Sequence, residues 1–342
     1  MVPNRSHSPL SATIVIAGVA VVVAVLLFSG ARLGSPGASG ATPGASSSGA
    51  KAGTPGPSGT ASQGLASSSP SQRGSSIPEA VLVGAGDIAD CNSNGDESTA
   101  SLLDGLAGTV FTLGDNAYES GSAADFRRCY DPSWGRQRGR TRPVAGNHDY
   151  LTKGAAGYFG YYGATAGDPA TGWYAYDIGA WRAYVLNSNC ALVGGCEAGS
   201  AQERWLRGDL AANPRACVLA MWHHPRFSSG MHGNDAITAD LWTDLYEAGA
   251  ELVLNGHDHD YERFGPQTPG GRADPDRGIV EVVVGTGGRS HYAFETVRAN
   301  SLVRDDATYG VLRLVLSAGG WSFEFVPVPG GTFTDSGSGA CH

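Results

Sequence analysis

Residues 1–77 contain no aspartate and no glutamate. Their charged side chains are Arg5, Arg32, Lys51 and Arg73, all basic. Taking those four positive charges away from the formal net charge of −9 leaves −13 for the remainder. A folded part so acidic lacks the basic stripes that hold nucleic-acid duplexes, so duplex binding is not expected. Any anionic substrate must then be held by local cations, not by the overall field. No cysteine stands directly after the N-terminal apolar run, the first being Cys91, which argues against a lipoprotein. No internal repeat recurs along the chain.

That apolar run, Ala12 to Phe28, is long for the core of a cleaved signal and short for a spanning helix. Residues 1–34 are read as an uncleaved signal anchor. The alternative is a signal peptide cut near Ser29-Gly30-Ala31. Either way the remainder is exported, and its location is extracytoplasmic. Residues 35–77 are almost entirely Gly, Ser, Pro, Ala and Thr. Such a segment cannot bury enough apolar area to offset its ordering entropy, so a disordered linker spanning on the order of 35 Å is expected. A tether that holds an enzyme off a membrane, or a glycosylated stalk, fits this composition. The 342 residues allow two domains by length, but the composition shift argues for one globular domain over 78–342.

Six cysteines suit an oxidising compartment and an even set of disulfides. Cys190 and Cys196 bracket a short glycine-containing loop. Cys91 and Cys129 each follow a motif at the same expected sheet edge. Elimination leaves Cys217 with Cys341, the alternative being a buried free thiol at Cys217.

Apolar segments with β-branched and aromatic residues mark strands at Val81–Val83, Val110–Leu113, Arg142–Val144, Cys217–Met221, Glu251–Leu254 and Ile279–Val284. Trp173–Asp177 with Arg182–Asn187, and Val311–Leu316 with Ser322–Val326, read as hairpins turning at glycines. Helices are expected at Thr99–Leu106, from a Ser200–Glu203 capping box to Leu210, and over Asp235–Ala248. Alternating βα units plus hairpins predict an α/β fold: two packed mixed β-sheets flanked by helices.

Five of these strands empty into turns that carry metal-binding side chains. They are Gly84-Ala85-Gly86-Asp87, Gly114-Asp115-Asn116-Ala117-Tyr118, Gly146-Asn147-His148-Asp149, Trp222-His223-His224-Pro225 and Asn255-Gly256-His257-Asp258-His259. Open α/β sheets keep their ligand sites at the C-terminal ends of strands. Taken singly, each of these turns has a plain structural reading: a turn aspartate, an Asx-turn at Asn147, a core histidine at His224. Together, one carboxylate able to bridge plus Asp, Tyr, Asn and several His suit two hard or borderline cations about 3.5–4 Å apart. Such a pair stabilises the charge that builds on oxygen in phosphoryl transfer.

In order and spacing the set Gly86-Asp87, Gly114-Asp115-Asn116-Ala117-Tyr118, Gly146-Asn147-His148-Asp149, Ala220-Met221-Trp222-His223 and Gly256-His257-Asp258-His259 resembles the calcineurin-like metallophosphoesterases. Within them it is most similar to the purple acid phosphatases. The resemblance implies the family's four-layer sandwich, a dinuclear metal site and hydrolysis of small phosphomonoesters by metal-activated hydroxide, as an acid phosphatase. It places Asp87, Asp115, Tyr118 and His259 on the first metal. Asp115, Asn147, His223 and His257 fall on the second, with Asp115 as the bridge. His148 and His232 match the family's substrate-facing, catalytic histidines. Most superfamily members have a histidine where Ala89 stands. With Tyr118 available instead, the first metal is expected to be Fe(III) and the second Fe(II), Zn or Mn. The purple enzymes usually carry glycine at the Ala89 position and often a second histidine where Gly233 follows His232. The plant-type enzymes' extra β domain before the first motif has no counterpart, so the resemblance is to a compact form. Asp149 is expected to orient His148 or cap its turn, His224 to pack behind the ligands and Arg289 to contact phosphate. The main rivals are a phosphodiesterase or nucleotidase of the same superfamily and a non-catalytic metal-binding surface module.

Overall fold

A computed structural model describes residues 78–342, so the expected anchor (1–34) and linker (35–77) lie outside the described residues. In chain order the elements are β1 (Ala80–Ala85), α1 (Gly95–Gly105), β2 (Thr109–Thr112), α2 (Ala123–Asp125), β3 (Thr141–Arg142), α3 (Ala156–Tyr162), β4 (Tyr174–Ile178) and β5 (Trp181–Val185). There follow α4 (Cys190–Val193), α5 (Ala201–Ala212), β6 (Val218–Met221), α6 (Ala239–Glu247), β7 (Leu252–Asn255), β8 (Tyr261–Phe264) and β9 (Val280–Val284). The chain closes with β10 (Ser301–Asp305), β11 (Gly310–Ser317), β12 (Gly320–Pro327) and β13 (Ser336–Ala340).

Two mixed sheets result, ordered β13-β12-β11-β1-β2-β3 and β10-β8-β9-β7-β6-β5-β4. In the first, β1, β2 and β3 run parallel while β11 to β13 are antiparallel. In the second, β5, β6, β7 and β9 run parallel. Alternation of side chains along β6 and β7 explains how one sheet serves two layers. Leu219, Met221, Leu252 and Leu254 join Leu82, Phe111 and Leu312 in the core between the sheets. Val218, Ala220 and Val253 point the other way, onto Leu206 of α5 and Leu241, Trp242 and Leu245 of α6. Each buried Leu, Val, Met or Phe side chain among these contributes about 1.5–3 kcal/mol against leaving it in water.

Several local expectations shift. The helix expected from Asp235 begins at Ala239, because the Asp235 carboxylate instead accepts the Ile237 N–H at 2.9 Å in a turn. Ser200 caps α5 by accepting the Glu203 N–H at 3.2 Å, but Glu203 reaches one residue further back, to the Gly199 N–H at 2.9 Å. Helix α1 starts at Gly95, four residues before Thr99, where Gly95 backs directly onto Gly288. Pairing at the third strand stops at Arg142, and the Val144 N–H goes to the Thr112 hydroxyl at 3.1 Å. Strands β8, β10 and β13 come in addition to those expected. Disulfides join Cys91–Cys129, Cys190–Cys196 and Cys217–Cys341, so Cys217 is not a free thiol. No described helix is long and apolar enough to cross a membrane.

Candidate metal centre

The parallel strands β1, β2, β3, β6 and β7 end on the same side of the molecule, each followed by one of the five turns. At three of them the chain takes a left-handed turn on a residue other than glycine: φ is +59° at Asp87, +48° at Asp115 and +74° at His257. Such backbone costs on the order of 1–2 kcal/mol per residue and collects at functional sites. Here it swings three polar side chains out of the strand direction and toward one another. The neighbouring glycines leave the room they need. A Cβ on Gly114 (φ +90°) would lie 2.4 Å from His223 Nδ1, and one on Gly146 would lie 2.1 Å from Asp115 Oδ1.

Two groups of donors form on either side of Asp115. On one side the Tyr118 hydroxyl lies 3.0 Å from Asp87 Oδ1, 3.1 Å from Asp115 Oδ2 and 3.1 Å from His259 Nε2. On the other, His223 Nε2 lies 2.9 Å from Asn147 Oδ1, 3.2 Å from His257 Nδ1 and 3.4 Å from Asp115 Oδ1. The two carboxylate oxygens of Asp115 thus belong to different groups. Asp87, Asp115, Tyr118, His223 and His259 are all buried. Backbone carbonyls hold two of the rings: Leu113 O is 2.7 Å from His223 Nδ1, and Ser290 O is 2.7 Å from His259 Nδ1. The Nδ1 hydrogens therefore face carbonyls, and both Nε2 atoms face the donor groups.

The donor chemistry is short of protons. Tyr118 has one hydroxyl hydrogen for three acceptors, because burial lowers His259 to about 4 and leaves its Nε2 bare. Burial, then the charges of Asp115 and Asp87, push the Tyr118 phenol well above its ordinary value. Burial also lifts Asp87 above its ordinary range, against His223 and with the Asp115 charge adding to it. For Asp115 burial is outweighed by the charges and hydrogen bonds of His223 and His148, which hold it well below the usual carboxylate range. Burial disfavours a proton on His223, yet Asp115 and Asp87 push it up to about 9. Lone pairs crowd together at both groups with too few hydrogens between them, which is the arrangement a pair of cations satisfies. The residues present fit a dinuclear centre.

At the mouth, His148 gives its backbone N–H to Asp115 Oδ1 at 2.8 Å, and its ring Nδ1 lies 2.6 Å from the Glu119 carbonyl. Asp149 does not engage that ring. It is fully buried and accepts from the Gly146 N–H and the Asn116 amide, at 2.9 and 2.8 Å. His224 sits behind, its ring 4.4 Å from that of His257 and its Nδ1 2.7 Å from the Ser188 hydroxyl; burial and His223 lower it to about 3. Arg289 lies over the Tyr118 ring at 4.6 Å and pairs with Asp90 and Glu119. His232 lies with its ring 4.0 Å from that of His257. Beside Gly233 the nearest side chain is Arg298, whose guanidinium would meet a Cβ there at 2.8 Å. Sequence reasoning passed over Asn116, Asp258 and Tyr292. Asn116 and Asp258 stood inside the motifs, while Tyr292, stacked at 4.0 Å on His259, had no motif to mark it. A cavity of about 770 Å³ lies away from all of this, between α5 and α6. Arg204, Arg207, Arg215, Asp244 and Glu247 line it and no histidine does, so the donor chemistry and not the volume locates the site.

Sheets, strand-end turns and donor set together define a metallophosphoesterase. The chain belongs to the calcineurin-like phosphoesterase family, whose model matches residues 75–261. It is similar to purple acid phosphatase 18 of Arabidopsis thaliana, 29% identical over 122 residues, covering 34% of this chain and 26% of that protein. It is also similar to purple acid phosphatase 15 of the same plant, 26% identical over 251 residues, covering 63% of this chain and 46% of that protein. The chain thus spans less than half the length of these relatives. Among solved structures, the purple acid phosphatase PPD1 from yellow lupin seeds superposes with a TM-score of 0.63 at 18% identity, over 76% of this chain and 53% of that one. GAP50, the anchor in the inner membrane complex of Plasmodium, does so with a TM-score of 0.60 at 16% identity, over 75% of this chain and 88% of that one. At such identities the likeness concerns the fold.

Proposed function

We propose that this protein is an extracytoplasmic two-metal phosphatase that hydrolyses small phosphomonoesters. The observation that carries the reading is the position of Asp115, each of whose oxygens lies at a separate group of donors. Asp87, Asp115, Tyr118 and His259 would hold the first cation, and Asp115, Asn147, His223 and His257 the second. Tyr118 is a hard oxygen donor, which favours Fe(III) at the first position; Fe(II), Zn or Mn suits the second. Bound there, the pair supplies Lewis acidity toward phosphoryl oxygens and toward water. The chain's own contribution is positional. The His148 N–H fixes Asp115, the Leu113 and Ser290 carbonyls fix two rings, and His148 beside Tyr118 and His232 beside His257 would contact the phosphoryl group and its leaving oxygen. The three disulfides and the similarity to purple acid phosphatases support an extracytoplasmic location, with attachment through residues 12–28 if the apolar run is retained. The acidity of the folded part supports small phosphorylated substrates over nucleic-acid duplexes.

The purified full chain is assayed for metal content, visible absorption and turnover of p-nitrophenyl phosphate against bis-p-nitrophenyl phosphate. Two metals per chain, a phenolate-to-Fe(III) band that Tyr118→Phe removes, and preference for the monoester are expected. Asp115→Asn should cut turnover by well over the roughly 10- to 100-fold typical of groups that only support a ligand, and lower the metal content. Preference for the diester would replace the monoesterase assignment. A colourless, iron-free, active protein would replace Fe(III), and full activity of Asp115→Asn would end the bridging role.

A further inference from the structure

Asp258 stands between His257 and His259, is fully buried, and has no place among the proposed metal ligands. All the hydrogen bonds of its carboxylate go to one segment, the loop after β6. Oδ1 accepts the backbone N–H of His232 at 2.9 Å and the ring Nδ1–H of the same residue at 2.8 Å. Oδ2 accepts the Ser228 hydroxyl, and the Ser228 oxygen in turn accepts the Gly230 N–H at 3.0 Å. Gly230 lets the loop come this close, since a Cβ there would lie 2.5 Å from Asp258 Cγ. His232 has no helix or strand to hold it, and 38% of its side chain is exposed. Its ring lies near-parallel to that of His257, at 4.0 Å and 30°. A carboxylate can only accept, so its contact keeps the hydrogen on Nδ1 and leaves Nε2 as the ring atom that faces a substrate.

We propose that Asp258 is a positioning residue that ties His232 to the metal-binding turn and fixes its tautomer, so that Nε2 protonates the departing oxygen of the substrate. The proposal rests on the phosphomonoesterase reading above and names the residue that holds His232 in place for that role. A water oxygen forms the new bond to phosphorus, its protons staying on the product phosphate or passing to solvent, while the bond to the leaving oxygen breaks. That oxygen keeps the electron pair and takes the proton from His232 Nε2. The ring is left neutral with its Nδ1–H still on Asp258, and solvent, which reaches the exposed ring, returns a proton to Nε2. A leaving group that is already a weak base gains little from this proton, whereas an alkoxide needs it.

The test is Asp258→Asn, assayed on phosphomonoesters of graded leaving-group basicity with metal content measured in parallel. For alkyl phosphates kcat should fall on the order of 100-fold, and for p-nitrophenyl phosphate only several-fold, with KM and metal content little changed. In His232→Ala the further substitution Asp258→Asn should cost nothing more. Ser228→Ala, which frees Oδ2 and the Gly230 N–H but leaves Oδ1 on the ring, should give the same leaving-group dependence at smaller size, and it keeps the test available if Asp258→Asn loses its metals or its fold. An equal loss for every leaving group, or additive losses with His232→Ala, would overturn the proposal. Imidazole ¹⁵N spectra of chelator-treated protein give a readout that needs neither metal nor turnover. Wild type should show His232 as the Nδ1–H tautomer, and Asp258→Asn should show a mixture. An unchanged tautomer would also overturn the proposal. If wild type hydrolyses no phosphomonoester while the tautomer shift is present, the functional reading falls and the positioning role stands.

Discussion

Tyr118 offers one hydrogen to three acceptors, and His223 stands among three more. Without a cation, His223 answers the deficit by keeping a proton. Its folded value of about 9 lies above its ordinary 6.5, so that proton stays until the pH rises through about 9. A ligand must be neutral at the coordinating nitrogen, so cation binding below pH 9 has to expel it, and affinity weakens as the pH falls. Chelator-treated protein titrated with Zn(II) near pH 7.5 should therefore release at least one proton. Calorimetry in two buffers of different ionisation enthalpy measures the release, and the released proton should be missing in His223→Asn. Uptake without proton release would contradict the donor arrangement. At this scale the sequence was informative about residue types and silent about partners. Asp258 was visible between two histidines, but its hold on His232 spans 26 positions and exists only once the loop folds back.

The working element is the strand end, not the helix. Three of the turns set a glycine against the side chain of a different turn: Gly146 makes room for Asp115, Gly114 for His223 and Gly256 for Asp87. Gly146→Ala should force Asp115 aside, cost about 1–3 kcal/mol and lower metal retention. Gly208→Ala in the middle of α5, where a Cβ meets nothing within 4 Å, should instead stabilise by about 0.5–1 kcal/mol. Thermal unfolding with metal analysis of both variants checks the pair. The strands feeding the turns were legible because β-branched and aromatic runs followed by glycine are local signals. Strand β13 was not: Ser336-Gly337-Ser338-Gly339-Ala340 has no apolar alternation. It pairs because its glycines let the backbone lie on Phe323 and Trp321, where a Cβ on Gly337 or Gly339 would come within 2.7 Å of a ring. Edge strand β10 and its neighbour β8 follow the same logic, their pairing decided by neighbours already in place.

For the whole molecule the question is what holds two sheets and a C-terminal edge strand in one body. Cys217–Cys341 closes a loop of 124 residues and Cys190–Cys196 one of 6. By chain entropy alone the first removes about 5 kcal/mol of unfolded-state freedom and the second about 2. Replacing Cys217 and Cys341 by alanine should therefore lower the urea midpoint more than replacing Cys190 and Cys196, with both variants keeping their metals, because neither pair supplies a ligand. Equal midpoints would show that packing of β12 and β13 over the core carries the C-terminus unaided. The sequence by itself determined the class of fold, the five turns and the kinds of donor they carry, since periodicity, glycine and residue type are properties of short stretches. Only the tertiary structure decided which oxygen of Asp115 meets which group, that Asp149 serves Asn116 instead of His148, and that Arg289 is taken up by Asp90 and Glu119. Those are distances between strands far apart in the chain, and they are set by how the sheets order and pack.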